Sequence, residues 1–316
     1  MPSAIIIGAT GQDGTYLYQL LEEKKYLILG IGRQRILTNN KDWADLNRTD
    51  ITNPLEVLDM VRKVRPDEIY HLAAIHQSAE DPITDPVTLF NRSFEVNVIS
   101  LFNVLEAIRQ ISPNTRLFYA ASSHVFGRPE KELQDENTPL SPQSVYGITK
   151  ASGLSLCRMY RSVHRVFASA GILYNHESPL RAEQFVSRKI IKGAVRCKND
   201  PEYRIFLGDL SVEVDWGYAP DYAEAMYRVV HLPEPDDFVI ATGEKHSVEE
   251  FVKIAFESLG LNWRCYVTER KEIITRPAVP LVGNPEKLIR KTGWRRSVTF
   301  SEMVQLLVKK EEEDHG

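Results

Sequence analysis

The sequence predicts a doubly wound α/β protein: a parallel sheet covered by helices on both faces, carrying a smaller mixed α/β domain. Three observations lead there. Short apolar runs alternate with helix-period segments through about residue 175, and a glycine-rich turn joins the first run to the first helical segment. Beyond residue 175 the alternation gives way to shorter pieces with denser proline.

Residues 3–7 form an apolar run that breaks at Gly8-Ala9-Thr10-Gly11-Gln12-Asp13-Gly14. Tyr16, Leu17, Leu20 and Leu21 then share one helical face, and residues 26–31 make a second apolar run. Strand, glycine turn, helix and strand define a βαβ unit. Residues 55–64 read as helix, 68–72 as strand, 90–108 as a long helix, 115–121 as strand, 144–163 as helix and 166–173 as strand. Strands this apolar are buried on both faces, which parallel pairing with crossover helices achieves. Downstream, helices around 185–195 and 248–259 mix with strands at 203–207 and 237–241, while 268–285 is loop-rich. The charged tail, 309–316, is expected to fray. His71 is expected to pack the third strand, His164, His231 and His246 to lie at the surface, and Trp294 to pack the final domain. Residues 1–175 are expected to bind a dinucleotide, with pieces of about 212–242 returning to them, and residues 176–316 mainly to hold the substrate.

Composition narrows the function classes. With 39 basic and 43 acidic residues, the formal charge of -4 lacks the basic excess that nucleic-acid binding needs. Cys157, Cys197 and Cys265 are odd in number, far apart and without a Cys-x-x-Cys, which argues against a disulfide framework or a zinc site. The apolar stretch 4–7 is too short for a signal-peptide core or a membrane span. A cytoplasmic protein with no membrane and no nucleic-acid partner is the expectation.

Gly8-x-x-Gly11-x-x-Gly14 sits where a phosphate loop belongs, between the first strand and the first helix. Glycines permit the tight turn and let backbone N–H groups approach a pyrophosphate at the positive end of the helix. Thr10, Gln12 and Asp13 complete that loop. The second strand ends Gly30-Ile31-Gly32-Arg33-Gln34-Arg35, with arginines where an acid would hydrogen-bond a ribose hydroxyl. Arg33 therefore favours NADP over NAD.

Tyr146-Gly147-Ile148-Thr149-Lys150 sets a phenol and an ammonium one helical turn apart on one face. The cation is expected to lower the phenol's pKa, so that Tyr146 exchanges a proton with a sugar hydroxyl, while Lys150 also reaches the cofactor ribose. The strand 115–121 runs out into Ser122-Ser123-His124, at the end of a parallel sheet where ligands gather. Ser122 can hydrogen-bond the reacting oxygen.

With these motifs in hand, the chain resembles the extended short-chain dehydrogenase/reductases, whose sheet is of the Rossmann type, and among them the GDP-mannose 4,6-dehydratases. The likeness spans nearly the whole chain. Its most specific stretches are Gly8 to Gly14, Gly171 to Pro179, Asp215-Trp216-Gly217 and Phe238 to Glu244. It implies oxidation at C4 of a nucleotide-linked hexose, loss of water across C5–C6, and return of the hydride to C6. It implies that Asp50 and Ile51 neighbour the adenine, that Leu72, Ala73, Ala74 and the strand end up to His76 line the cofactor, and that His176 and Arg181 touch the NADP. Asn175, Lys189 and Arg276 look like nucleotide-sugar contacts, with Ser123 beside them and a GDP-hexose as partner. A homodimer or homotetramer formed through the two long helices is the family habit.

Three departures bear on the reaction. The family's Thr-Ser-Glu is Ser122-Ser123-His124 here, so a histidine stands where the acid–base glutamate is expected. Val214 replaces an arginine before Asp215-Trp216-Gly217, and Arg276-Pro277-Ala278-Val279 lacks the family's Thr-Glu ending. A 4-ketoreductase, dehydrogenase or epimerase acting on a related nucleotide sugar is the alternative, and a non-catalytic dinucleotide-binding regulator a more remote one.

Overall fold

The computed structural model describes residues 1–33, 36–46, 49–76, 85–273 and 279–315. Seven strands form the main sheet: β1 (Ser3–Ile7), β2 (Leu27–Ile31), β3 (Ile36–Thr38), β4 (Glu68–His71), β5 (Arg116–Ser122), β6 (Ala168–Leu173) and β7 (Asp237–Ile240). Their spatial order is β7-β6-β5-β4-β1-β2-β3. All pairs are parallel except β2–β3. The three-residue edge strand β3 is too short to register as a period in the sequence.

The helices, in chain order, are α1 (Gln12–Glu23), α2 (Pro54–Val64), α3 (Pro86–Phe94), α4 (Ser100–Ile111), α5 (Val145–His164), α6 (Val186–Asn199), α7 (Ala219–Val230), α8 (Val248–Glu257), α9 (Glu286–Thr292) and α10 (Phe300–His315). Alternation along β1 shows why the sheet is covered twice. Ile5 and Ile7 join a core with Val57 and Val61 of α2, Leu101 and Val104 of α4, and Leu154 of α5. Ala4 and Ile6 join the opposite core with Leu17 and Leu21 of α1, and Tyr222 and Met226 of α7. A third core links Ile190 and Ala194 of α6, Phe251 and Phe256 of α8, and Val304 and Val308 of α10 around Trp216.

The expected long helix at 90–108 is instead α3 and α4 joined by a π-helical turn, Glu95–Ile99. The tail does not fray: α10 runs to His315, because Val308 and Glu311 are buried and Glu311 pairs with Arg188 of α6. Trp294 packs in the core of α1 and α7, not in the third core, and its indole N–H donates to the Asp221 carbonyl at 2.8 Å. His71 is fully buried, its Nε2 2.7 Å from the Ser100 hydroxyl. His164 and His231 are exposed, as expected, whereas His246 is half-buried. His231 sits 3.1 Å from the Glu68 carboxylate, and His246 stacks on Phe300 at 3.9 Å.

Candidate active site at the carboxyl ends of the strands

Strand order reverses beside β1, with β2 on one side and β4 on the other, which opens a crevice beyond the carboxyl ends. The Gly8–Gly14 turn lies in it. Gly11 caps α1 without a side-chain hydrogen bond, which leaves the first-turn N–H groups for an anion. A methyl group on Gly14 would lie 2.3 Å from the Gly8 carbonyl oxygen, so only glycine lets the helix start this close to the turn. Arg33 is exposed just past β2, and Leu72, Ala73 and Ala74 follow β4. Asp50 uses its carboxylate locally, accepting from the Thr52 N–H at 2.9 Å and the Thr52 hydroxyl at 2.7 Å. The Ile51 carbonyl is held by Asn103 of α4 at 3.2 Å.

The phosphate loop is tied to a segment more than 160 residues away in the chain. Gln12 donates to the His176 carbonyl at 3.0 Å and accepts from the Ser178 hydroxyl at 2.8 Å. Asp13 lies 2.9 Å from His176 Nε2, and the histidine ring stacks on Tyr222 at 4.4 Å. Burial pushes the Asp13 carboxyl up, but the charge and hydrogen bond of His176 outweigh it and the net shift is downward. Burial likewise pulls His176 down, and the Asp13 charge and hydrogen bond reverse the sign, leaving it raised. Asp13 therefore contributes stability above its unfolded pKa that is lost as pH falls through the folded one. His176 contributes stability below its unfolded value of 6.5 that is lost as pH rises through the raised folded one. His176→Asn should lower Tm more at about pH 5.5 than at about pH 9, and equal losses at both would contradict the ion pair.

Glu177, for which the sequence offers no physical role, accepts from the Ser187 hydroxyl of α6 and pairs with Arg181 at 3.4 Å. It thereby fixes the cation that faces the site. The Arg181 guanidinium lies 3.8 Å over the Phe185 ring. Asn175 is exposed on a short ladder, Asn175–Glu177 against Trp216–Tyr218, and Lys189 is half-buried in the first turn of α6. Arg276 lies outside the described residues. A second seam joins two other family-specific runs. Buried Asp215 accepts from the Thr242 N–H at 2.9 Å, the Thr242 hydroxyl at 2.6 Å and the Gly243 N–H at 3.2 Å.

The reacting groups converge from β5 and α5. The Ser122 hydroxyl accepts from the His124 N–H at 3.3 Å, turning the chain after β5. Ser144 caps α5 through the Gly147 N–H at 3.0 Å. A methyl group on Gly147 would lie 2.6 Å from the His124 carbonyl oxygen. That contact sets Tyr146 against His124, ring centroids 5.5 Å apart. Burial pushes the Tyr146 phenol up to about 12, with a Ser122 hydrogen bond and the Arg181 charge pulling the other way. Lys150 is buried, donates to the Ala120 carbonyl at 2.6 Å, and is driven down to about 7 by burial. The expectation that Lys150 lowers the phenol's pKa is therefore corrected. Its ammonium lies 5.8 Å from the Tyr146 ring centre, and desolvation dominates both groups. His124 is exposed at the end of β5, and desolvation by the protein around its ring still holds it below the usual histidine value, so it is neutral at physiological pH.

His76, at the end of the segment after β4, adds a second imidazole. Its ring lies 4.5 Å from Tyr146, edge to face, 5.9 Å from His124, and stacks on Phe185 at 5.5 Å. The sequence marked His76 only as part of a strand end, and Phe185 carried no signal.

Solved structures share this architecture. RMD from Pseudomonas aeruginosa, complexed with NADPH, matches with a TM-score of 0.81 and 18% identity over 99% of this chain and 100% of that one. The dTDP-glucose 4,6-dehydratase of Bacillus anthracis, complexed with NAD, matches with a TM-score of 0.81 and 19% identity over 100% and 98%. These likenesses establish the fold, a Rossmann-type α/β protein. Residues 5–307 match the family model described as GDP-mannose 4,6 dehydratase. GDP-mannose 4,6 dehydratase 2 of Arabidopsis thaliana is 36% identical over 96% of this chain and 85% of its own. The chain belongs to the GDP-mannose 4,6-dehydratase family.

Proposed function

We propose that this protein is a nicotinamide-dinucleotide-dependent enzyme that dehydrates a GDP-hexose, oxidising C4 with Tyr146 as base. One observation carries the reading. A chain matching the family over 96% of its length brings Ser122, His124, Tyr146 and Lys150 to one strand-end crevice beside an uncapped glycine turn. The crevice fits a dinucleotide through the open first turn of α1 and the close approach at Gly14. Arg33 past β2 supports NADP over NAD. When bound, the nicotinamide ring supplies a hydride acceptor for C4 and a donor for C6.

The chain's own residues do the rest. Tyr146 takes the C4 hydroxyl proton, Ser122 holds the same oxygen, and Lys150, near its neutral-pH transition, binds the cofactor ribose. His124 stands in for the family's glutamate as base at C5. Arg181, Lys189, Asn175, Ser123 and Arg276 serve the diphosphate and nucleotide sugar. Residues 1–175 hold the cofactor with help from 212–242, and residues 176–316 mainly hold the sugar nucleotide. The replacement of glutamate by His124 favours a second reading, a 4-ketoreductase, dehydrogenase or epimerase on a related nucleotide sugar. With GDP-mannose and catalytic NADP⁺, dehydration releases a 4-keto sugar one water lighter. Net consumption of NADPH when a 4-keto nucleotide sugar is supplied with it points to the reductase instead, and unchanged GDP-mannose in the first assay removes the primary reading.

A homodimer or homotetramer in the cytoplasm is part of the same reading. Phe102 of α4 and Ile148, Met159 and Val163 of α5 are exposed along neighbouring helices, beside a groove of about 680 Å³ lined by Val98, Leu140 and Leu156. Light scattering should give an even-numbered mass, and Met159→Asp should shift it toward the monomer. A monomeric wild type removes the proposal.

A further inference from the structure

Lys150 must keep its charge in surroundings that oppose it. Burial drives the ammonium down to about 7, and Asp13 of the glycine turn and Cys157 of α5 offset that only in part. The Ala120 carbonyl accepts its hydrogen bond at 2.6 Å. The nearby imidazole, His71 at the end of β4, is held down to about 3 by burial and by the Lys150 charge, so it is neutral. Two phenol rings flank the ammonium. The ring centre of Tyr146, on the same helix, lies 5.8 Å from the nitrogen, and that of Tyr119, on β5, lies nearer at 5.0 Å. Tyr119 is fully buried, and its hydroxyl has no hydrogen-bond partner among the described residues, an arrangement that lowers stability. Helix α5 opens to admit it. A methyl group on Gly153, one turn beyond Lys150, would lie 2.2 Å from the Tyr119 hydroxyl oxygen and 2.4 Å from its Cζ, and a glycine inside a helix lowers stability again. A leucine at 119 facing an alanine at 153 would avoid both losses. What the present pair provides instead is the face of an aromatic ring against a buried cation.

Building on the reaction above, we propose that Tyr119 is a positioning residue: its ring face, admitted by Gly153, holds the Lys150 ammonium protonated and in place for the cofactor ribose. A cation within about 6 Å of an aromatic ring centre is attracted by the negative face of the ring, and more strongly where water is excluded. Neutral lysine gains nothing from that face, so the contact favours the charged form. Tyr119 itself is enclosed and exchanges no proton with the sugar. It acts on the reaction only through Lys150.

Tyr119→Phe keeps the ring face and removes the unpaired hydroxyl, whereas Tyr119→Met fills the core with a flexible side chain that has no such face. The Lys150 ammonium can be followed against pH by NMR of its labelled Nζ and Cε, with the signal assigned by its loss in Lys150→Met. It should titrate within about 0.2 pH unit of wild type in Tyr119→Phe, and about 0.5–1 pH unit lower in Tyr119→Met. The alkaline limbs of NADP⁺ affinity and of kcat/KM for GDP-mannose should move down by the same amount, which a merely structural role would not produce. Should Tyr119→Met fail to fold, Tyr119→pentafluorophenylalanine decides, since it keeps the shape of phenylalanine and reverses the charge of the ring face; it too should lower the Lys150 titration. An unchanged or raised titration in either folded variant overturns the proposal, as does a shift in Tyr119→Phe as large as in Tyr119→Met. The NMR titration needs no substrate, so it decides the role of Tyr119 even if wild type leaves GDP-mannose untouched, a result that rejects the dehydratase reading alone.

Discussion

Tyr146→Phe lowers kcat/KM for the nucleotide sugar by about 10³-fold or more, a loss of about 4 kcal/mol in transition-state stabilisation, and leaves dinucleotide affinity within about twofold. The substitution removes one oxygen and preserves the ring that packs edge-on against His76 and His124. No neighbour can replace it. Ser122 has too high a pKa, Lys150 is tied to the Ala120 carbonyl, and His124 is proposed to serve C5. Steady-state kinetics paired with NADP⁺ titration checks this. A tenfold effect or less would mean that another group takes the C4 proton.

Gly14→Ala should abolish measurable dinucleotide binding and destabilise the fold by about 1–3 kcal/mol. The added methyl would lie 2.3 Å from the Gly8 carbonyl oxygen and 2.6 Å from the Ala9 Cα, both backbone atoms that no rotamer change can move. Relief requires α1 to tilt away from β1, which disperses the N–H groups meant for the pyrophosphate. Gly11→Ala is the control, since its methyl meets the Gly8 carbonyl only at 3.4 Å. Thermal unfolding should separate the two variants clearly, and equal Tm values would show that the close approach at Gly14 is not what holds the loop.

The doubly wound sheet was legible because β1, β2, β5 and β6 are each nearly continuous apolar runs, and only burial on both faces accounts for such runs. The edge strand β3 was not, because three residues carry no period. The tail was misread for a related reason. Its charges outnumber its apolar residues, yet the helical repeat brings Val304, Val308 and buried Glu311 against α6. At the site, Tyr146 and Lys150 stood out by their spacing only together with the glycine turn and the serine-rich strand end, and the electrostatics were not legible at all. Spacing suggested that the ammonium tunes the phenol, whereas burial acts on both groups more strongly than they act on each other. The family-specific runs had no visible meaning in one dimension. They prove to be seams: Gln12 and Asp13 close on His176 and Ser178, and Asp215 closes on Thr242 and Gly243. His76 was legible only as the end of the run after β4, because its three ring contacts are made across the fold.

The central claim is internal oxidation and reduction of one sugar around an elimination. GDP-mannose carrying deuterium at C4 tests it most directly, in ordinary water with catalytic NADP⁺ and product analysis by NMR. The proposed reaction delivers that deuterium to C6 of a 4-keto-6-deoxy sugar. Deuterium that stays at C4, or that accumulates in the reduced cofactor with no label at C6, contradicts it.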